Sequence, residues 1–544
     1  MKGKTGSSTL TASACESSSK INKKFAVLDF ETDPFIYGQI PMAFAAGYYD
    51  GETYSHIWGS ETKVVKWAVD KSSSFNGITY AHNGGRFDFP GYLFRGGVNL
   101  LLGEEIVFIG NRMVKVGFGN GELRDSYCIL PAALSKFGGK KSIDYDKFLP
   151  CNRSQHRDEI LAYLRSDCIS LHEAISKFHD DHGTKVLTAA SAAMKHAKKL
   201  GIEVMNLKEG TDRKMRAFYF GGRCGFKKVG DFRGTIYSYD IKSAYPHAMI
   251  HQHPASEPIL SEDCCYRRVK GHEMVVVRGE ARGCFPERGE DGSLGFPHKR
   301  GTFYVTGWEY KQALDLSLFS GKILYKYAFE KTVDFRIYVD HYFAAKEKAQ
   351  REGDQAAREI AKIMLNSLYG KFAQDCRDFK DYLCVPLDSS PVDDWEECYV
   401  DDENGFVMWQ RPSTKEQRFF NVATASSITG FVRARIMLAI TQSKGGALCW
   451  DTDGIKTTRK METGEGLGSW QMEDQGERLL VSGKKMYAFH TNDGKWKIAS
   501  KGVRLSWEQM EKLVNGEEVL YQQEAPSFSL KTGTKFIDRV VKSA

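Results

Sequence analysis

Acidic side chains separated by a single residue occur at two distant places in this chain of 544 residues. Asp29 and Glu31 lie near the N-terminus, and Asp451 and Asp453 lie in the last quarter. Both pairs are set in short runs of apolar, β-branched and aromatic residues typical of strands, in which residues i and i+2 share one face. Two carboxylates on one face repel each other, and a divalent cation reverses that cost. Each half of the chain is therefore expected to present carboxylates from a sheet.

The composition is that of an ordinary globular protein, with 42% hydrophobic and 27% charged residues. No run approaches the length of about 18 apolar residues that a membrane span needs, so no membrane partner is expected. A net charge of +7 permits a nucleic-acid partner without requiring one. The 12 cysteines are scattered and include no C-x-x-C pair, which argues against a zinc module or a disulfide framework and favours a reducing compartment.

The pattern along the chain predicts a mixed α/β protein (α+β). Residues 1–24 are rich in Ser, Thr and Lys without an apolar core, which favours a disordered leader over a secretory signal. Residues 25–32 predict a strand, and apolar spacing predicts helices over 154–183 and 355–370. The segment around Asp240 begins as a strand and is predicted to turn at Pro246.

Further acidic residues extend the N-terminal pair. Asp88 follows a Gly-Gly turn, and Tyr163 and Asp167 are four residues apart on one predicted helical face. With Asp29 and Glu31 they form a set of four carboxylates and one phenol. Oxygen-rich sets suit Mg²⁺ or Mn²⁺, and two such ions activate water against a phosphodiester.

Other side chains near this set fit a single nucleic-acid strand. Tyr163 is expected to orient the attacking water, while Thr32, Asn83 and Phe87 are expected to hold a 3′ end, with Phe87 as a stacking face. A D-x-E pair alone is equally typical of a solvated polar face. The order D-x-E, N-x-x-x-F-D and Y-x-x-x-D over residues 29–167 resembles the DEDDy-type 3′–5′ exonucleases. That resemblance implies an RNase H-like exonuclease domain.

The second half of the chain holds a second carboxylate set. Asp240 lies on a predicted strand and joins Asp451 and Asp453 from another. Three carboxylates suit two metal ions placed over a 3′-hydroxyl and the α-phosphate of a nucleotide. The departing pyrophosphate is then neutralised by one of the ions.

A helical face in the same half suits an incoming nucleotide. Arg358, Lys362, Asn366 and Tyr369 recur at spacings of four and three residues and so share one face. A solvated face would explain the two cations but not the large tyrosine beside them. A triphosphate explains the cations through charge-assisted hydrogen bonds, and the tyrosine then packs near the base or sugar.

The segments DIKSAYP, KIMLNSLYG and DTDG, in this order behind the exonuclease pattern, resemble the family B DNA polymerases over residues 25–505. The resemblance implies a right-hand polymerase domain of palm, fingers and thumb, with two Mg²⁺ (or Mn²⁺) ions per active site. Its implied partners are a DNA primer–template, single-stranded DNA and dNTPs. It also implies a steric gate against ribonucleotides at Tyr245.

Two shorter elements support the resemblance. YFGG is similar to a template-binding element between the exonuclease and polymerase domains, which assigns DNA contacts to Tyr219, Gly221 and Gly222. KKMY is similar to the primer-binding element of the palm, with Lys485 and Tyr487 in that role.

The short chain most resembles the protein-primed branch of this family, found in phages and linear plasmids. That branch implies a terminal protein whose hydroxyl accepts the first nucleotide, and a monomer or a heterodimer with that protein. The implied location is the cytoplasm of a host cell, with the mitochondrial matrix as an alternative. The domains implied are the leader 1–24, exonuclease 25–185, linker 186–225, palm 226–260 and 413–480, terminal-protein insertions 261–345 and 373–412, fingers 346–372, and end of palm with thumb 481–544.

Several alternatives stay open. The chain could be a stand-alone exonuclease with a degenerate polymerase half, or a non-catalytic scaffold for a terminal protein. The acidic stretch 375–403 could be a solvated surface loop. The catalytic segment also departs from the family pattern Y-x-D-T-D-S, with Cys449 for the tyrosine and Gly454 for the serine. Gly454 is expected to loosen the backbone where the hairpin is tightest.

Overall fold

The computed structural model describes residues 24–139, 141–391 and 394–544, so nearly all of the predicted leader lies outside the described residues. The N-terminal part contains β1 (Phe25–Thr32), β2 (Ala43–Tyr49), β3 (Tyr54–Trp58), α1 (Glu61–Ser74), β4 (Ile78–Ala81), α2 (Phe94–Gly97), β5 (Ile106–Ile109), β6 (Arg112–Phe118), β7 (Gly121–Asp125) and α3 (Arg157–His182). The predicted strand 25–32 is confirmed, and the helix predicted over 154–183 is observed as α3, which ends at Gly183, whose φ of 74° suits glycine.

A mixed sheet forms the core of this part. Its strands run in the order β3-β2-β1-β4-β7-β6-β5, with β1, β4 and β7 parallel and the others antiparallel. β1 is buried on both faces because it lies centrally, and α3 packs across β1 and β2. The sheet thereby places the acidic residues of β1 opposite those of α3.

The middle of the chain builds the start of a second sheet and a separate small one. Its elements are α4 (Ala189–Lys199), α5 (Glu209–Met215), β8 (Arg223–Phe226), β9 (Gly230–Ile241), α6 (Ala244–Met249), β10 (His253–Pro254), β11 (Pro258–Ser261), β12 (Met274–Arg282), β13 (Glu287–Arg288), β14 (Leu294–Gly295), β15 (His298–Thr306), α7 (Gly307–Asp315), β16 (Phe319–Phe329) and β17 (Thr332–Val333). β11, β16, β12 and β15 form a four-stranded antiparallel sheet. Most of this sheet lies within the first predicted insertion.

The predicted turn at Pro246 is wrong. Pro246 lies in the first turn of α6, where a missing N–H costs no helical hydrogen bond. The chain instead changes direction before the helix, at Ser243, whose φ is 52°.

The remaining elements are α8 (Arg336–Glu352), α9 (Gln355–Phe372), β18 (Lys380–Pro386), β19 (Glu396–Asp401), β20 (Phe406–Pro412), α10 (Val422–Gln442), β21 (Ala447–Thr452), β22 (Gly454–Thr457), β23 (Trp470–Gly483), β24 (Met486–Thr491), β25 (Trp496–Ser500), α11 (Trp507–Val514), β26 (Val519–Gln522) and β27 (Asp538–Val541). The helical pair α8 and α9 begins at Arg336, so the predicted boundary between residues 345 and 346 falls inside a helix. None of the helices in the described part of the chain is long and apolar enough to cross a membrane.

A seven-stranded sheet, in the order β25-β24-β23-β9-β22-β21-β8, supports the second carboxylate set. α10 packs beside it and is buried along most of its length, because it also contacts α6, α7 and α9. Small residues on α10 permit this close approach: a Cβ on Gly430 would lie 2.3 Å from Thr306 Oγ1.

The acidic second insertion is not a solvated loop. Its strands β19, β20 and β18 continue the N-terminal sheet, with Tyr382 paired to Ile106 of β5, and the combined sheet has ten strands. The acidic composition did not reveal this packing. The acidic residues occupy the outer edge and the turns, whereas Cys384 and Met408 are buried. The C-terminal segment also returns to this region, where the Phe528 ring lies 5.6 Å from that of Phe87.

A fully buried ion pair joins α7, α10 and the YFGG segment. The guanidinium of Arg433 on α10 donates to both carboxylate oxygens of Glu309 on α7, at 2.7 and 3.0 Å, and both side chains are 0% exposed. Its third nitrogen donates to the carbonyl oxygens of Phe220 and Gly221, at 2.5 and 3.0 Å. Glu309 in turn accepts from the Thr306 hydroxyl and closes the capping box of α7. The pair thus holds the YFGG segment against both the small sheet and α10.

Replacing Arg433 with Leu should leave the Glu309 carboxylate buried without a counter-charge. We expect the free energy of unfolding to fall by about 3–5 kcal/mol, measured by urea denaturation. The double variant Arg433→Leu/Glu309→Leu should regain much of that loss. As a control, Lys299→Ala, which removes an exposed ion pair with Glu287, should cost less than about 1 kcal/mol. Equal effects of the two single substitutions would contradict the role given to the buried pair.

Candidate active sites

The three carboxylates of the second half converge on one pocket of about 190 Å³. Asp240 lies near the end of β9, Asp451 near the end of β21, and Asp453 in the turn that leads into β22. Gly454 pairs directly with Asp240 across the sheet, which brings the turn beside the first carboxylate. The geometry therefore assembles the set that the sequence predicted.

The turn itself is tight. Thr452 has a φ of 60°, and the Asp453 N–H lies 2.6 Å from the Asp451 carbonyl oxygen. The left-handed residue of the turn is thus Thr452, and Gly454 does not adopt a positive φ. Gly454 is confined by its neighbours instead: a Cβ there would lie 3.1 Å from Asp240 Oδ1 and 3.3 Å from the Tyr239 carbonyl oxygen, so the carboxylate would have to move by a few tenths of an ångström.

The charges in this pocket are unequal. Burial and the neighbouring Asp453 raise the pKa of Asp240 to about 8, and burial together with Asp451 raises the pKa of Asp453 to about 6. Burial acts the same way on Asp451, but hydrogen bonds from Lys485, Cys224 and Thr452 lower its pKa. The Lys485 ammonium lies 2.9 Å from Asp451 Oδ1. Asp240 and Asp453 are therefore the carboxylates whose repulsion the neighbouring cations Lys456 and Lys485 offset only in part.

This donor set fits a divalent cation. In the described residues, no three His, Cys, Asp or Glu side chains lie close enough together to hold a metal ion by themselves. Asp240 and Asp453 instead offer two carboxylates whose raised pKa values reflect burial and mutual repulsion, which a cation would relieve. Oxygen atoms of DNA and nucleotide would supply the remaining ligands, as is usual for Mg²⁺.

Two residues of this pocket were missed in the sequence. Glu473 lines it because β23 bulges between Met472 and Asp474, which turns an extra carboxylate toward Asp240. Lys456 also lines it, and its ammonium lies 4.2 Å from the centre of the Tyr487 ring. A bulge leaves no motif in the sequence, so Glu473 could not have been predicted. Lys456 could have been, because it follows Gly454 by two positions on β22 and so points to the same face of the sheet.

The predicted nucleotide face is present on α9. Arg358, Lys362 and Asn366 are exposed along one side of the helix, and Asn366 donates to the Lys362 carbonyl oxygen at 2.9 Å. At the end of this face the Tyr369 ring stacks on Tyr245, with ring centres 4.1 Å apart and an angle of 10° between the planes. The stack links the helix to the strand-end that carries Asp240.

Two further cations extend this face. Burial lowers the pKa of Lys346 on α8, and the charges of Arg358, Lys242 and Lys362 lower it further. Lys242 and Lys346 lie 5.7 and 5.6 Å from the centre of the Phe343 ring. Four cations from three elements thus face one region. The spacing of Lys242 and Lys346 in the sequence gave no signal, because these two lysines join the face only when the chain packs.

The YFGG segment lies beside the catalytic turn. A Cβ on Gly222 would lie 2.8 Å from the Thr452 side chain, so only glycine permits this approach. The carbonyl of Tyr219 accepts from Arg288 at 2.8 Å, and that of Gly221 accepts from Arg433. Lys485 and Tyr487 line the carboxylate pocket from the other side. The two predicted DNA-contacting elements thus flank the same three carboxylates.

The four carboxylates of the N-terminal set also meet. Asp88 and Asp167 are buried, Glu31 is 7% exposed and Asp29 is half-buried. The Cys168 thiol reports their convergence: burial raises its pKa well above its ordinary value, and the charges of all four carboxylates add to the rise. Burial and the charge of Asp29 likewise raise the pKa of Asp88. This cluster resembles the palm pocket electrostatically and fits divalent cations for the same reason.

The predicted strand-binding residues surround this cluster. Asn83 has a φ of 67° in the turn before Asp88, and Phe87 packs edge-on against Phe35 at 5.5 Å. The Tyr163 hydroxyl lies 3.4 Å from that of Tyr145, a residue missed in the sequence. Thr32 ends β1 directly after Glu31.

Replacing Gly454 with Ala should push the Asp240 carboxylate by a few tenths of an ångström. We expect single-nucleotide incorporation to fall by about tenfold, since small displacements of reacting groups carry factors of that order or more. Degradation of single-stranded DNA should be unchanged, because the other cluster is remote from this turn. Gly210→Ala, where a Cβ meets nothing within 4 Å, is the matched control. Unchanged incorporation by the Gly454 variant would show that the close approach is not needed.

Comparisons with known proteins point to one family of enzymes. The model of the family described as DNA polymerase type B, organellar and viral, matches residues 139–404. The DNA-directed DNA polymerase of Enterobacteria phage PRD1 is 33% identical over 96% of this chain and 98% of its own length. A probable DNA polymerase of Agaricus bitorquis is 25% identical over 57% of this chain and 45% of its own.

Solved structures show the same fold. Phi29 DNA polymerase complexed with primer-template DNA and incoming nucleotide superimposes with a TM-score of 0.70, at 18% identity, over 96% of this chain and 100% of that one. Its complex with single-stranded DNA gives a TM-score of 0.70 at 19% identity, with the same coverage.

Proposed function

The chain belongs to the organellar and viral type B DNA polymerases, and we propose that it replicates a linear viral or plasmid genome from a protein primer, proofreading with its N-terminal domain. The observation that carries this proposal is the pairing of Asp240 with Asp453 in a pocket flanked by the YFGG segment and Lys485. Polymerases of this family depend on divalent metal ions, and two Mg²⁺ or Mn²⁺ ions per site are proposed here.

In the polymerase site the side chains of the protein bind and orient the reactants and form no covalent bond with them. Divalent ions held there would supply the charge that lowers the pKa of the primer hydroxyl and neutralises the pyrophosphate. Asp240 and Asp453 hold the charge that binds these ions, while Lys485 keeps Asp451 ionised beside them. Arg358, together with the neighbouring cations of the nucleotide face, binds the triphosphate of a dNTP.

The stacked rings of Tyr245 and Tyr369 form the other boundary of the nucleotide site. A flat ring under the sugar leaves no space for a 2′-hydroxyl, so Tyr245 acts as the gate against ribonucleotides. Burial raises the pKa of Tyr245 and holds its phenol neutral, which suits a steric role rather than proton transfer.

The N-terminal cluster performs the opposite reaction. Asp29, Glu31, Asp88 and Asp167 bind the ions that activate water, and Tyr163 orients that water. Burial raises the pKa of Tyr163, so its phenol remains a hydrogen-bond donor across the physiological range. Asn83, Phe87 and Thr32 surround the cluster and hold the 3′ end of the strand.

A terminal protein is the proposed primer and partner. The first insertion reaches the YFGG segment through the hydrogen bond from Arg288 to the Tyr219 carbonyl. The second insertion joins the exonuclease sheet through Tyr382. The first insertion thus adjoins the proposed template-binding segment, and both insertions are the proposed docking sites of a priming protein. The cysteines of the described residues are free thiols, which suits the reducing cytoplasm of a host cell as the proposed compartment.

Substitution of one carboxylate set should separate the two activities. Asp240→Asn should lower primer extension by about 10³-fold, since several kcal/mol of transition-state stabilisation are lost, and leave 3′–5′ degradation intact. Asp29→Ala/Glu31→Ala should do the reverse. Gel assays on a labelled primer–template and a labelled single strand measure both, with Glu477→Gln as an exposed control on β23. Synthesis retained by the Asp240 variant would refute the polymerase assignment, and degradation retained by the double variant would refute the exonuclease.

Protein priming needs a separate assay. Incubation with a candidate terminal protein, Mg²⁺ and a labelled dNTP should attach the label covalently to that protein in a reaction that Asp240→Asn abolishes. If no candidate from the same genome is labelled while primed templates are extended, the polymerase assignment stands and the protein primer is refuted.

A further inference from the structure

A second cavity, of about 410 Å³, lies beside the polymerase pocket. It is bounded by the edge strand β8, by the first insertion around residues 282–298, and by the end of α10. Four basic side chains line it, Arg223, Arg282, His298 and Lys484, and none of the lining residues is acidic. A concave site lined by basic groups without carboxylates favours an anion.

Arg223 is the strongest indication. The residue is only 6% exposed, and its nitrogens donate to two backbone carbonyls, those of Gly283 at 2.6 Å and Cys284 at 3.3 Å. Within the described residues it forms no ion pair, and its Nε is buried without a hydrogen-bond partner. Burial lowers its pKa to about 10. A buried guanidinium without a carboxylate is costly, and an anion in the cavity would offset that cost.

Two further cationic side chains, Arg282 and Lys484, line the rim of the cavity. Arg282 has a carboxylate neighbour in Glu280, at 3.5 Å, but Glu280 is exposed and does not line the cavity. The Lys484 ammonium donates to the Leu294 carbonyl at 2.9 Å, which leaves further donors for a ligand.

The walls are apolar and partly aromatic. Phe226 and Trp450 come from the palm sheet, Ile440 comes from α10, and Phe296 stacks under the Arg223 guanidinium at 4.1 Å. Flat aromatic walls with basic groups at the rim match a ligand with a planar ring and a phosphate. An inorganic anion would leave this apolar wall unused, and the volume lies in the range of small-molecule sites, about 300–1,000 Å³.

We propose that this cavity binds a nucleoside phosphate, with the phosphate on the basic groups and the base against the aromatic wall. The ligand is either a free nucleotide or one nucleotide of a single strand. The site adjoins the catalytic turn: Trp450 precedes Asp451, and the Cys224 thiol, which also lines the cavity, lies 3.1 Å from Asp451 Oδ1. The site is separate from the triphosphate face of α9.

Equilibrium dialysis of the full chain in EDTA tests the proposal, since the polymerase pocket has no cation there to hold a nucleotide. Labelled dAMP and a labelled, 5′-phosphorylated oligothymidylate are the two probes. Arg282→Ala should weaken binding of at least one probe by about tenfold or more, as expected for a charge-assisted hydrogen bond. Arg278→Ala removes an exposed arginine from the same strand outside the cavity and is the matched control.

A second pair of variants tests whether the ligand occupies the cavity itself. Thr441 is exposed at the end of α10 and lines the cavity, so Thr441→Trp should fill it and abolish binding without disturbing the core. Gln442→Trp, on the adjacent exposed position, should not. Binding of dAMP assigns the site to free nucleotides, and binding of the oligonucleotide alone assigns it to a strand. Absence of saturable binding, or equal losses in variants and controls, would overturn the proposal.

Discussion

The buried pair of Arg433 and Glu309 is the interaction on which the polymerase half depends. Two charges without solvent are stable only when every donor and acceptor is satisfied. Here the guanidinium satisfies one carboxylate and two carbonyl oxygens of the YFGG segment at once. The strand that follows this segment, β8, pairs with β21, which carries Asp451. The position of Asp451 therefore depends on an ion pair that does not line the carboxylate pocket.

The two active sites share one electrostatic design. Each gathers carboxylates around the end of a central strand, where burial and the charge of a second carboxylate raise the pKa of one of them, Asp240 in one site and Asp88 in the other. The sites differ in the protein group that lies next to their carboxylates. In the palm, Lys485 neutralises Asp451 and leaves two carboxylates for cations. In the exonuclease cluster the thiol of Cys168 is the group shared by all four, and it carries no compensating charge.

Much of this arrangement was predictable because motifs encode local geometry. The strand 25–32, the helical pairing of Tyr163 with Asp167 and the face of α9 follow from periods of two and of three to four residues. Glu473 was missed because a bulge breaks that period, and Lys346 because its neighbours come from another helix. The comparisons confirm the predicted family and fold, whereas the individual site roles and domain functions remain predictions.

The role of Gly454 shows a different limit. Composition alone suggests backbone freedom at a glycine, yet the left-handed residue of the turn is Thr452. What confines a side chain at Gly454 is the carboxylate across the sheet, a contact more than two hundred residues away in sequence. The acidic second insertion, for which a solvated surface loop was the open alternative, shows a similar limit. Its charges dominate the local composition, while its few buried apolar residues decide where it packs.

The ten-stranded sheet has a consequence for how this molecule can be divided. β18 lies between β20, from its own insertion, and β5 from the N-terminal domain, although nearly three hundred residues separate the two paired positions. A fragment that begins after α3 would leave β18 as an open sheet edge with unpaired backbone groups, a template for aggregation. The sheet that carries Asp29 and Glu31 thus also includes the second insertion, so a cut between the two would expose a sheet edge on both fragments.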